Sequence, residues 1–227
     1  MRLALLLIIV GIFIFGPQLW TRRVFAQYSV PRPDYPGTGA ELARHLLDRF
    51  DMKHIKVEMT EMGDHYDPEA KAVRLTPDKF SGKSLTAVTV AAHEVGHAIQ
   101  DQTGYQPLAE RTRLVRVAYG AEKVGAVVMM GIPIATALAR TPLAGILVLV
   151  AGMATMGIST LVHLVTLPVE WDASFRRALP LLQKGNYLSL EDEQGARRIL
   201  IAAALTYLAA SLASLLNLWR WIAFLRR

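Results

Sequence analysis

A mainly helical, membrane-integral fold with a small α+β part is what this sequence predicts. Three observations predict it. Of 227 residues, 52% are hydrophobic, and mean hydropathy is positive. Four stretches are apolar enough for the roughly 20 residues that a bilayer crossing needs. Between residues 55 and 76, two short segments have strand character, so the fold is not purely helical. The length suits one compact unit over residues 1–227. The chain has no cysteine, which excludes a disulfide framework and thiolate metal sites and is compatible with a reducing compartment.

The first element is the apolar run Leu3 to Trp20 (residues 3–20), uninterrupted by charge. It reads as a cleaved signal peptide or an uncleaved anchor. Its length, the Arg22-Arg23 pair directly after it, and the lack of a small-x-small cleavage site favour the anchor. Thr38-Gly39-Ala40-Glu41 is a capping box opening a helix through Phe50, with Leu42, Leu46 and Leu47 on one face. Ile55 to Met59 alternates apolar and polar residues, a half-buried strand. Asp67-Pro68 marks a turn, and Lys71 to Thr76 is a second strand, giving a short β-hairpin. An exposed edge of that second strand could hold an extended peptide by strand addition. A plain structural hairpin fits equally well. Ser84 is placed to cap the helix that follows.

The later spans are predicted over 124–139, where Pro133 introduces a kink, over 143–167 and over 199–218. Trp219 and Trp221 follow the last as an interfacial belt would. Little more than Arg140-Thr141-Pro142 separates the second and third, so they form an antiparallel helical hairpin.

The chemistry is concentrated in His93-Glu94-Val95-Gly96-His97, within the Ser84-capped helix. Histidines four apart project from one helix face, where both imidazoles can share one Zn²⁺ at about 2.0–2.1 Å. Glu94 adjoins the first ligand but is turned away from it, so it can hold a water rather than the metal. Residues 87–99 otherwise carry no charge, and a buried Glu94 would be costly without a partner or a task. The pattern points to zinc-assisted peptide hydrolysis. A catalytic zinc needs a third protein ligand and an open fourth position. Glu170 is the best candidate, predicted in the first turn of a helix that Pro168 starts. Ser174, four residues on, could reach a ligand histidine. Asp172 is the runner-up ligand, and a helix-start carboxylate with no zinc would also explain Glu170. His163 reads as an interhelical hydrogen-bonder and His65 as part of a polar turn. Arg177 could stabilise an oxyanion or anchor at a membrane surface.

The segments Ala92 to Gln100, Thr166 to Glu170 and Ala173-Ser174 resemble the bacterial membrane zinc metallopeptidases of the YugP type. Asp64 to Pro68, Val73 to Leu75, Thr38 to Glu41 and Gly104 to Leu108 fit as well, so the resemblance runs over nearly the whole chain. It implies a zincin-like catalytic part of the gluzincin type. One zinc per chain would be held by His93, His97 and Glu170, with Glu94 as catalytic base. More distantly, the layout is similar to the HtpX-type and CAAX prenyl-protein membrane proteases. There an aspartate stands where this chain has Ser174.

Four spans would place residues 21–120 and 168–198 on one side, where the HEVGH helix and Glu170 can meet. Twelve basic residues flank the spans on that side, among them Arg22, Arg23, Arg111, Arg176 and Arg177, against five on the other. That bias predicts a multi-pass protein of the bacterial plasma membrane with a cytoplasmic active site and both termini outside. The net charge of +6 then faces anionic lipid, and no nucleic-acid motif competes. The expected partners are a peptide or protein substrate and the lipid bilayer. An intramembrane protease is disfavoured because Gln100-Asp101-Gln102 end the apolar run soon after His97. The alternative from another class is a non-catalytic scaffold stabilised by zinc, although such sites are normally closed by four protein ligands.

Overall fold

The computed structural model describes residues 2–121, 158 and 161–225. Its elements in chain order are α1 (Arg2–Tyr28), α2 (Gly39–Arg49), β1 (Lys56–Met59), β2 (His65–Asp67), β3 (Ala72–Leu75), the short α3 (Pro77–Phe80) and α4 (Leu85–Gln102). Next come α5 (106–121) and α6 (161–171). A π-helical segment (Asp172–Ala178), α7 (Leu179–Lys184) and α8 (Leu190–Leu225) complete the order.

The core is built around α4, which packs against α2, β3, the π-helical segment, α7 and α8. A helix without charge over most of its length can be buried on all sides. Val88, Ala91, Ala92, Val95 and Ala98 of α4 accordingly meet Leu46 and Leu47 of α2, Val73 and Leu75 of β3, and Leu179 and Leu182 of α7 in one cluster. Local signals set its start, since Ser84 caps α4 by accepting from the Ala87 amide at 3.1 Å. The Thr38–Glu41 capping box on α2 is formed in both directions. It satisfies amides that a helix start otherwise leaves open.

Two expectations need correction. Among the described residues no helix is long and apolar enough to cross a membrane, so the four-span architecture does not hold. The expected span 124–139 and most of 143–167 lie outside the described residues. The apolar sequences read as spans 3–20 and 199–218 fall in α1 and α8, which pack against each other. Thr21 of α1 donates to the Ala202 carbonyl of α8 at 2.7 Å. Val24, Ile199, Leu200 and Ala202 join the core around α4. Hydropathy alone does not separate a helix buried by protein from one surrounded by lipid.

The short β-hairpin also changes form. The strand order is β1-β3-β2. β3 pairs with β1 in parallel and with β2 antiparallel. The second predicted strand is therefore the middle strand, with both edges occupied, and an added peptide would have to pair elsewhere. The turn into β3 is made by Asp67, whose carboxylate accepts from the Glu69 and Ala70 amides at 2.9 and 3.0 Å. It closes with Lys71 at φ 51°. Arg74 on β3 bridges Glu58 of β1 and Asp67 of β2, which ties the three strands together across the sheet.

Candidate active site

α4 carries His93 and His97 one turn apart, with their rings 4.7 Å apart, edge to face. Both rings turn their Nε2 atoms toward the same oxygen, Glu170 Oε2, at 3.1 and 3.4 Å. Glu170 comes from the end of α6 and is buried. The ligand atoms of His93, His97 and Glu170 all lie within 4.8 Å of one another. Among the described residues this is the group of histidine and carboxylate side chains able to hold a metal ion. The donor set suits zinc. Atoms about 2.0–2.1 Å from a tetrahedral ion stand roughly 3.3 Å apart, close to the 3.1 and 3.4 Å between the two histidines and Glu170.

Close approach of two backbones makes this convergence possible. A Cβ at Gly96 would stand 2.8 Å from the Ala173 carbonyl oxygen, so glycine lets the π-helical segment lie against α4. Ser174, the next residue, then places its Oγ 3.1 Å from His93 Nδ1. On the other histidine, Nδ1 of His97 lies 2.8 Å from Gln100 Oε1. The Gln100 amide nitrogen donates to the Val169 carbonyl and to Asp172 Oδ2, both at 2.9 Å. Arg177 Nε donates to that same Asp172 oxygen at 2.7 Å.

Electrostatics divide the two glutamates. Burial pushes the Glu94 carboxyl up to about 7; the Glu170 and Asp64 charges add to this, while His93 and the Tyr66 backbone oppose it. Glu170 is buried too, but His97 and His93 outweigh that and hold it well below the usual carboxylate range. Arg111 of α5 adds a cation, with its guanidinium 3.7 Å from the other Glu170 oxygen.

Comparison with known proteins assigns the sequence to a family. The model of the family described as "Putative neutral zinc metallopeptidase" matches residues 3–226. The chain belongs to that zinc metallopeptidase family. The "Putative membrane protease YugP" of Bacillus subtilis (strain 168) is 35% identical over 210 residues, covering 92% of this chain and 89% of that protein. No solved structure matches. The protein is thus a zinc peptidase, and its His93, His97 and Glu170 could hold a single zinc ion.

Several residues of the peptidase stand differently from expectation. Pro168 does not start a helix; it lies inside α6, so Glu170 is not in a first turn. Asp172 is engaged by Gln100 and Arg177. Arg177 also lies over the Tyr105 ring at 5.6 Å. Seven residues would put Arg177 on the face of Glu170 in an α-helix, but the π-helical segment between them holds more residues per turn, so the two do not share a face. His45 and His65 are bound elsewhere, to Tyr187 and to the Gly63 carbonyl. Neither they, His54 nor His163 belongs to the metal cluster. Two participants lay outside the sequence reading. Gln100, taken as the polar end of the apolar run, is fully buried; its i+3 spacing from His97 was the available signal. Arg111 carried no signal beyond its charge.

Proposed function

We propose that this chain is a membrane-associated zinc endopeptidase of the gluzincin type. It cleaves peptide bonds in membrane proteins or in protein segments exposed to the cytoplasm. The observation that carries the reading is the convergence of both Nε2 atoms of the HEVGH histidines on one oxygen of the buried Glu170. His93, His97 and Glu170 would be the ligands, leaving one position of a tetrahedral site for water or substrate. When bound, zinc supplies a Lewis acid that polarises the scissile carbonyl and acidifies water. Glu94 receives a proton from the attacking water and delivers it to the departing amine. Its burial beside the histidines shields this transfer from bulk solvent. Ser174 positions His93 through the Nδ1 contact.

Membrane association is proposed from the name of the B. subtilis relative. A net charge of +6 is suited to the anionic cytoplasmic leaflet.

Replacing Glu94→Gln tests the mechanism. The amide keeps the shape of the carboxylate but cannot take a proton. Zinc content is expected to stay at one per chain while casein hydrolysis falls by about 10²–10⁴. Glu170→Ala in the same series is expected to lose the zinc itself. Glu94→Gln activity within about twofold of wild type would remove Glu94 as the general base, given the loss expected for such a group.

A further inference from the structure

Gln100 makes three short hydrogen bonds and has no exposed surface. Their chemistry fixes which way round its amide lies. The Val169 carbonyl can only accept, and the Asp172 carboxylate, itself paired with Arg177 at 2.7 Å, accepts as well. Both therefore require the NH₂ group. The Gln100 carbonyl oxygen is left facing His97 Nδ1 at 2.8 Å, and that ring nitrogen must be the donor. In a neutral imidazole the proton on Nδ1 leaves Nε2 with the lone pair. Nε2 is the atom that faces Glu170 Oε2 at 3.4 Å. Two acceptors then face each other, an arrangement that a cation between them resolves.

We propose that Gln100 is a positioning residue that commits His97 to the Nδ1-protonated tautomer, with Asp172 and Arg177 acting through it to hold the Gln100 amide in register. The same side chain joins the helix of the two histidines to the stretch that carries Glu170. It thereby sets both the direction of one lone pair and the distance to the third ligand. His93 has no such fixed partner, because a serine hydroxyl can either donate or accept. The tautomer of the pair is thus specified at His97.

This inference rests on the zinc reading of His93, His97 and Glu170. Its test measures zinc affinity of the purified full chain by competition with a chromophoric chelator, for wild type, Gln100→Leu and Gln183→Ala. Leucine keeps much of the buried volume but makes no hydrogen bond. The Gln183 side chain donates to Glu193 at the surface, away from the histidines, so its variant is the control. Loss of a residue that orients a metal ligand typically weakens binding about 10- to 100-fold. That loss is expected for Gln100→Leu and not for the control. A purely structural Gln100 would lower the thermal midpoint of the metal-free chain while the folded fraction bound zinc as tightly as wild type; that result overturns the proposal. Should Gln100→Leu not fold, wild type decides. With ¹⁵N-labelled histidine and zinc bound, His97 is expected to show a protected Nδ1–H and ligation through Nε2. Ligation through Nδ1 overturns the proposal. A wild type that binds no zinc overturns the reading beneath it, and this inference with it.

Discussion

Single residues set the local charge balance, and Asp67 shows how far one carboxylate reaches. The Ala70 amide, then Glu69 and Arg74, outweigh partial burial and hold its pKa below the ordinary value. A carboxylate with a lowered folded pKa adds stability above its unfolded value, about 3.9. That stability disappears as pH falls through the folded value. Denaturant unfolding of wild type and Asp67→Asn is expected to differ by about 1 kcal/mol or less at pH 7, as partly exposed pairs do. The gap should narrow by pH 3. A gap that stays constant between the two pH values would show that the Asp67 charge is irrelevant to stability. At this scale the sequence was most legible where geometry is local. The i,i+4 histidines declare a shared face whatever surrounds them. The Gln100 role was hidden, since it depends on Val169 and Asp172, which only tertiary packing brings near.

Elements were legible where they are punctuated. The Thr38 capping box and the Ser84 cap each sit where the helix begins. Pairing was less legible, because a strand segment does not state its partner. The insertion of His65–Asp67 turned the expected hairpin into a three-stranded sheet. Pro168 misled for a related reason: proline marks a helix start often, but here the helix runs through it. The contact between α4 and the π-helical segment gives the prediction at this scale. Gly96→Ala would gain about 1 kcal/mol of helix propensity. It would also drive a methyl to 2.8 Å from a backbone carbonyl, and overpacking of this kind costs about 1–3 kcal/mol. The clash should win because a backbone carbonyl has little room to retreat. Gly96→Ala is expected to lower the thermal midpoint and weaken zinc binding together. An unchanged or higher midpoint would mean that the two segments separate without penalty.

At the scale of the whole molecule, composition misled most. The apolar runs near both ends read as spans, yet Ile199 and Leu200 from the second, and Val24 just after the first, pack in the core. What the sequence did carry was the need for the HEVGH helix and Glu170 to meet, and α4 packs against the segment that follows Glu170. The proposed compartment is the cytoplasm. Because the native chain has no cysteine, single cysteines at the exposed Ser81 and Asn186 would report it cleanly. Neither is expected to react with a membrane-impermeant thiol reagent in intact cells, and both should react after lysis. Labelling of either in intact cells would place the site outside.

The distance along the chain between His93 and Glu170 has a consequence for the protein's birth. The two lie 77 residues apart in sequence, and a ribosome adds roughly 5–20 residues per second. If His93, His97 and Glu170 form the proposed zinc site, then for roughly 4–15 s after the HEVGH stretch is polymerised the nascent chain holds both histidines and Glu94 without the third ligand. On that proposal, hydrolytic capacity arrives only when Glu170 has emerged and docked against α4, so a translation product that stops short of it is expected to be inactive as a peptidase.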